Sequence, residues 1–492
     1  MGQRLQIVIL FLAVLTGFAS ANNVVTYHNS NLRHGAYIVH GLTLASAANI
    51  HRDTGFHATV SGNIHAQPLF WRPQGSNRSY VIVATENNAV YALNDTTGAV
   101  VWQQQLPASV PASAMPCGNI DPAGITGTPV IDPAAGVLYL DALTTTVNGP
   151  RHMLYAVSLS DGSILPNWPL DVQAALVTQG ATFSSDVQGE RSALLYFDNN
   201  LYVNYAGRAG DCGDYRGTVV QVQTDSPAVV ANWQTRARGG GIWAQGGIAG
   251  DGVSLFVTTG NTFGASSWSD GEAIIRLHAG LAHSTRAKDY FVPADWKTLD
   301  STDKDLGGTE ALPITVASGG GTRVGRLIAF GKDGKAYLVD RKRLGGIGGE
   351  IANLQVATSA IRTAPAVYQT GSQTLVAFTS SAGGNCAHGN ITMLSVAASG
   401  PNPISVAWCA PFDGKGAPII TTSDGASDAI VWAVGAEGDN LLHGFNAQTG
   451  QSVFTDTGPA MTGLHRFQTM IATQSRFYVA ADNAVYAFAF EP

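Results

Sequence analysis

The four cysteines of this chain could form disulfide bonds. Cys117, Cys212, Cys386 and Cys409 make an even number, which in an exported chain favours disulfide bonds. Four cysteines allow three pairings. We predict the pairs Cys386–Cys409, which are close in sequence, and Cys117–Cys212, which would join neighbouring repeats. Buried free thiols are the alternative.

Other reactive residues lack the spacing that common active sites need. Six of the twelve histidines lie between His28 and His65, but none has the spacing of zinc ligands. The sequence contains neither a G-x-S-x-G nucleophile turn nor a phosphate-binding loop. The formal net charge is −7, and charged residues make up 12% of the chain. Nucleic acid is therefore not an expected partner, because phosphate binding needs clustered Lys and Arg.

The N-terminal residues have the pattern of a secretory signal peptide. Arg4 precedes an apolar run over residues 7–18, which ends in Ala19-Ser20-Ala21, a small-x-small cleavage pattern. We therefore predict a signal peptide at residues 1–21 and a secreted or periplasmic protein from residue 22 to 492, with no membrane span. A buried N-terminal helix is the alternative.

A strand–turn–strand unit recurs along the chain. Residues 80–102 contain two apolar runs separated by Asn87-Asn88, and a second turn ends in Gly98 before a further strand. Related units occur at 137–168, 335–346, 441–454 and 477–490. Alternation of apolar and small residues is the period-two pattern of strands, and a turn Gly supplies the positive φ that a hairpin needs.

A second recurring piece is a step in which a proline precedes an apolar run. It occurs at Pro68, Pro129, Pro365 and Pro418, where it would open the innermost strand of a blade. Counting the units predicts an all-β, eight-bladed β-propeller, and seven blades remain an alternative. The last unit has room for three strands, so residues 55–62 are expected to add the fourth and close the ring.

The repeat at residues 89–102, AVYALNDTTGAVVW, resembles the repeat of the pyrroloquinoline quinone (PQQ) propeller family. Residues 24–35, 117–132 and 211–217 are similar to segments of exported bacterial PQQ-repeat proteins. The family contains quinone-dependent alcohol dehydrogenases and also propellers without a cofactor. The resemblance therefore implies the fold more strongly than an activity.

The resemblance also implies roles for several residues. Trp243 would lie under a bound PQQ, Asn261 would bind Ca²⁺, and Asp305, in the run with Asp303, would be the catalytic base. Lys332 would contact the quinone oxygens. Glu190 lies in the region of the metal-binding glutamate, although its surrounding residues do not match the motif.

Two features depart from the dehydrogenase pattern. The chain has no adjacent cysteine pair, because Cys117 is followed by Gly118, and it has no C-x-x-C-H haem motif. We therefore expect a propeller that binds a small-molecule ligand or a protein partner and retains part of a quinoprotein site. A PQQ- and calcium-dependent alcohol dehydrogenase is the second hypothesis, and a glycan-binding propeller is the third.

Overall fold

The computed structural model describes residues 23–318, 322–380 and 390–490, so the predicted signal peptide and Cys386 lie outside these ranges. The described residues form eight sheets, and in each the consecutive strands pair antiparallel with their sequence neighbours. The prediction of an all-β, eight-bladed propeller is confirmed, and a seven-bladed ring is excluded. No helix in these ranges has the length and apolar composition needed to cross a bilayer.

Each blade begins with a buried inner strand and ends with a strand on the outer surface. The strands of blades 1 to 4 are Leu69–Trp71, Tyr80–Ala84, Ala89–Asn94 and Val100–Gln105; Val130–Asp132, Val137–Thr146, Gly149–Ser158 and Leu170–Asp171; Leu195–Phe197, Asn200–Gly207, Thr218–Gln223 and Ala228–Gln234; and Ala249–Gly250, Leu255–Thr258, Ile274–Leu277 and Tyr290–Val292. Those of blades 5 to 8 are Leu312–Ala317, Arg323–Phe330, Lys335–Asp340 and Ala352–Gln355; Ala366–Gln369, Thr374–Thr379, Ile391–Val396 and Ile404–Ala410; Ile419–Thr422, Ile430–Val434, Leu442–Asn446 and Ser452–Thr455; and Met470–Ala472, Arg476–Ala481 and Ala484–Ala489.

Short additional elements decorate this ring. They are the strands Ala36–Ile38, His51–Arg52, Ala58–Thr59, Gln188–Gly189 and Gly346–Ile347 and the α-helices Val172–Thr178 and Trp296–Ser301. All four predicted proline steps open an inner strand, because the strand begins at the residue after the proline in blades 1, 2, 6 and 7. A proline suits this position, since the strand's first residue can lack a ladder donor.

The hydrophobic core lies between the blades. In blade 1, Val81 and Val83 belong to a cluster shared with blades 7 and 8, whereas Ile82 and Ala84 pack against blade 2. Successive strand residues point to opposite faces of a sheet, so the period-two pattern sends apolar side chains to both neighbours in turn. The same arrangement recurs between the other blades.

Blade 8 closes the ring with strands from the beginning of the chain. Ala58–Thr59 pairs antiparallel with residues 484–485, as predicted for residues 55–62. His51–Arg52 extends this pairing to residues 488–489. The N-terminal region therefore covers the edge that the last C-terminal strand would otherwise expose.

The predicted Cys117–Cys212 disulfide is present, with a Cα–Cα distance of 6.1 Å. It connects the loop after blade 1 to the hairpin between the second and third strands of blade 3, rather than two adjacent repeats. Cys386 lies outside the described residues, so the pair Cys386–Cys409 stays a prediction.

Residues 24–38, here named the axial segment, run across one end of the ring. Hydrogen bonds connect this segment to a residue at or next to the inner strand of every blade: Phe70, Ile131, Leu194, Gly250, Pro313, Val367, Ile420 and Gln474. Tyr27 packs against Ala193, Ala364 and Ala417, which come from blades 3, 6 and 7. The segment therefore closes the central channel at this end.

Arg33 is the buried charge of the axial segment. Its side chain is fully buried and donates to Thr26 Oγ1 at 2.6 Å and to the carbonyls of Leu194 and Ile248, both at 3.0 Å. Burial lowers the pKa of Arg33 to about 10, which still leaves the guanidinium charged at neutral pH. The planar fork thus joins the segment to blades 3 and 4 in a geometry that an ammonium group does not reproduce.

Arg33→Lys should destabilise the protein by about 2–4 kcal/mol, since the carbonyls of Leu194 and Ile248 would lose donors in a buried place. The midpoint of urea unfolding measures this change. The matched control is Arg78→Lys at an exposed turn, which should stay within about 0.5 kcal/mol of the native chain. Equal midpoints for the two variants would contradict the structural role of Arg33.

Candidate functional site

Three residues to which the resemblance assigns roles are in direct contact. Lys332 Nζ lies 2.5 Å from Asp305 Oδ2 and 2.7 Å from Asp303 Oδ1. The backbone N–H of Asn261 donates to Asp305 Oδ1 at 2.9 Å. Asp305 is only 1% exposed, so its carboxylate is enclosed by these partners.

Trp243 packs beside this group, across Gly260 from Asp305. A Cβ atom on Gly260 would lie 2.8 Å from Asp305 Oδ1 and 2.9 Å from Trp243 Nε1, so only glycine fits between the two side chains. Tyr215 contacts the indole edge to face, with ring centroids 6.2 Å apart. The structure therefore brings together Trp243, Asn261, Asp305 and Lys332, which come from four separate segments of the sequence.

Glu190 lies elsewhere, between blades 2 and 3. Its Oε2 accepts from the backbone N–H of Gly127 at 3.0 Å, and its Oε1 is buried without a partner. Burial, together with Asp141, raises the pKa of Glu190 well above its usual value. Glu190 lines a small cavity together with Trp243, and among the described residues the hydrogen bond of its carboxylate goes to Gly127 rather than to Asn261, its predicted co-ligand.

Burial dominates the electrostatics of the group around Asp305. It raises the pKa of Asp305, against the lowering effect of Lys332. Burial alone would lower the pKa of Lys332, but Asp305 and Asp303 raise it overall. Glu272 lies next to the group, accepts from Leu306 N at 2.7 Å, and has a raised pKa through burial and the nearby Asp305.

These residues do not fit a bound quinone and Ca²⁺ in the arrangement that the resemblance implies. The cavity beside Trp243 has a volume of about 50 Å³, whereas ligand pockets occupy roughly 300–1,000 Å³. Asn261 instead lines a different, more open cavity of about 600 Å³, which Trp243 does not line. In the described ranges, no group of three or more His, Cys, Asp or Glu side chains is arranged to hold a metal ion. We therefore derive no reaction step through either group.

A larger cavity of about 490 Å³ lies on the propeller axis. Tyr27 of the axial segment lines it, and so do Gln67, Thr128, Gln245 and Thr469 near the inner strands of blades 1, 2, 4 and 8. Its other lining residues are Asn63, His65, Asn119, Ile120, Asp121, Thr126, Arg191, Glu437, His465, Arg466 and Phe467. None of the four residues grouped at Asp305 lines this cavity, but it adjoins the small cavity beside Trp243, because Asn119, Ile120, Thr126 and Arg191 line both.

Sequence reasoning missed two further buried glutamates near the axis. Glu86 is fully buried, and its Oε2 accepts from Gly124 N at 2.6 Å and from Thr126 Oγ1 at 3.1 Å. Burial raises the pKa of Glu86 and of Glu310 to about 7. Glu310 lies two residues before the inner strand of blade 5, whereas Glu86 lies in the hairpin between the second and third strands of blade 1, so no shared sequence position marks the two glutamates.

Solved structures with this architecture were found by comparison of coordinates. The quinohemoprotein alcohol dehydrogenase from Comamonas testosteroni matches with a TM-score of 0.65 over 95% of this chain and 80% of its own, at 12% identity. A europium-containing methanol dehydrogenase gives 0.64 over 93% and 89%, at 14% identity. BamB from Moraxella catarrhalis gives 0.49 over 90% and 98%, at 14% identity.

The two dehydrogenase structures show that this chain shares their propeller fold. At 12–14% identity, the similarity shows the fold alone. No family model matches the sequence, and a search of curated proteins gives no match.

Removal of the Lys332 charge should leave the buried Asp305 carboxylate without its positively charged partner. We expect Lys332→Met to lower the free energy of unfolding by about 3–5 kcal/mol, the usual cost of breaking a buried pair on one side. Lys304→Met, at an exposed neighbouring lysine, should change it by no more than about 0.5 kcal/mol. Urea unfolding at pH 7 compares the two, and similar values would show that the pair is not buried as described.

Glu86 should make stability depend on pH. Its pKa is about 7 when folded and 4.5 when unfolded, so the folded state holds the proton more tightly. The contribution of Glu86 to the free energy of unfolding is then fully present below pH 4.5. It falls by about 3 kcal/mol as pH rises through 7.

Glu86→Gln should remove that fall, because the amide oxygen still accepts from Gly124 and carries no charge to bury. Unfolding midpoints at pH 5 and pH 8 measure the difference, with the exposed Asp225→Asn as control. An unchanged pH dependence in Glu86→Gln would contradict the raised pKa.

Proposed function

We propose that this chain is an exported binding propeller that holds a small polar ligand in its axial cavity. The observation that carries the proposal is the Tyr27 hydroxyl group. Tyr27 lines the cavity, is 3% exposed, and its Oη is buried without a hydrogen-bond partner. A buried, unmade hydrogen bond costs about 1–3 kcal/mol, which an acceptor on a ligand would recover.

The protonation state of Tyr27 supports this role. Burial and the nearby Glu310 raise the pKa of Tyr27 well above its ordinary value, so the hydroxyl keeps its proton and donates. The cavity volume of about 490 Å³ lies within the range of small-molecule sites. Polar side chains from several blades line the cavity, which suits recognition of one orientation of a ligand.

Quinone-dependent alcohol oxidation is the second candidate, and the convergence of Trp243, Asn261, Asp305 and Lys332 favours it. Its general base would have to reach an alcohol proton at hydrogen-bond distance. Asp305 is instead bound by Lys332 and Asn261 and is almost fully buried. The binding role therefore has the stronger support.

PQQ and Ca²⁺ added to the purified chain distinguish the two candidates. Equilibrium dialysis measures PQQ retention, and reduction of an artificial dye in the presence of a primary alcohol measures turnover. The binding role predicts no alcohol-dependent reduction and the same PQQ retention in the native chain and Trp243→Ala. Stoichiometric retention that Trp243→Ala abolishes, together with alcohol-dependent reduction, would establish the dehydrogenase instead.

The place of binding is tested with a variant that fills the cavity. Asn119 is exposed and lines the cavity from a loop, so Asn119→Trp should obstruct it without disturbing a blade. Isothermal titration with citrate and its neutral ester triethyl citrate serves as the probe. Binding of either probe that Asn119→Trp abolishes supports the proposal. Binding unaffected by this variant contradicts it, and so does the absence of binding by both probes and by inorganic phosphate.

A further inference from the structure

The residues around the axis repeat at one structural position. The position lies four residues before the first residue of each inner strand, and in blades 1 to 8 it holds His65, Thr126, Arg191, Gln245, Gly308, Arg362, Lys415 and Arg466. Five of these residues line the axial cavity. Arg362, Lys415 and Arg466 line an adjoining cavity of about 260 Å³. Four cations and no carboxylate therefore occupy the eight equivalent positions.

Only part of this positive charge is neutralised by the protein. Glu437, from the hairpin of blade 7, binds Arg466 at 2.9 Å and Lys415 at 3.1 Å. In the ranges that the structure describes, neither Arg191 nor Arg362 has a carboxylate within ion-pair distance. The carboxylate of Asp121 also lines the axial cavity, where its Oδ1 accepts from Ala112 N at 2.9 Å.

Arg191 is held in place with hydrogen-bonding capacity to spare. Its guanidinium lies over the ring of Phe467 at 5.1 Å, and Arg191 Nε is buried without a partner. Burial, and then repulsion from Arg362 and Arg466, lowers the pKa of Arg191 to about 10. Arg191 and Arg466 line the axial cavity, and Arg362 and Arg466 line the adjoining one, so the charge of Arg191 is repelled by both neighbours. An anion bound among them would offset that repulsion.

We propose that the axial cavity selects a small anion with two or more negative charges, a carboxylate or phosphate compound, bound between Arg191, Arg362 and Arg466. This inference rests on the proposed binding function and adds the chemical class of the ligand. Guanidinium groups bind carboxylate and phosphate oxygens in a bidentate manner, and the Tyr27 hydroxyl adds a neutral donor at the floor of the cavity.

Isothermal titration of the full exported chain tests the charge requirement with three probes: citrate, inorganic phosphate and triethyl citrate. Citrate and triethyl citrate share one carbon skeleton and differ in charge. Inorganic phosphate shows whether the site prefers a phosphate to a carboxylate. We expect an anion, citrate or phosphate, to bind at least tenfold more tightly than triethyl citrate. Arg191→Gln and the exposed Arg362→Gln should each weaken anion binding at least tenfold, and Arg343→Gln, an exposed arginine away from the axis, should not.

The outcomes separate the two proposals. Equal affinity for citrate and triethyl citrate, or anion binding that neither arginine variant weakens, overturns the anion inference. If Asn119→Trp still abolishes the binding in that case, the axial cavity remains a ligand site of another class. Absence of binding by all three probes at millimolar concentration overturns both. Because Arg362 is exposed, its variant keeps the test valid even where Arg191→Gln fails to fold.

Discussion

The structure depends on how the inner strands satisfy their polar groups at the centre of a ring. Inner strands leave backbone groups facing the axis, and buried groups without partners are costly. The axial segment, residues 24–38, supplies partners to all eight blades, and the buried Arg33 joins blades 3 and 4 to it. The same segment places Tyr27 across the channel, so the constraint that completes the ring also makes the floor of a cavity.

The blades could be predicted from the sequence because each is a local pattern. Alternating apolar residues, hairpin turns and the proline steps at Pro68, Pro129, Pro365 and Pro418 define where strands begin. The axial segment could not be predicted in this way. It has no periodicity of its own, and its partners are spread along the chain from Phe70 to Ile420.

The candidate site shows a similar division. Resemblance to quinone propellers singled out Asp305 and Lys332, which do meet, but a motif does not reveal that they bind each other in a buried pair. The cations at the axis can be recognised only when the blades are aligned on their inner strands. Arg362 and Lys415 then each precede the proline of their blade by three residues, as His65 does. Their common place on the ring follows from the fold, so the charge concentration emerges only when the blades are superposed.

Hydrogen exchange of the native chain, followed by mass spectrometry on peptides, tests most directly the claim that the axial segment completes the ring. Peptides covering residues 24–38, and the amides of Ile131, Val367 and Ile420 that donate to this segment, should exchange only as slowly as the blade cores, through global unfolding. Rapid exchange of residues 24–38, as for a frayed terminus, while the blades stay protected would contradict it and leave the cavity without a floor.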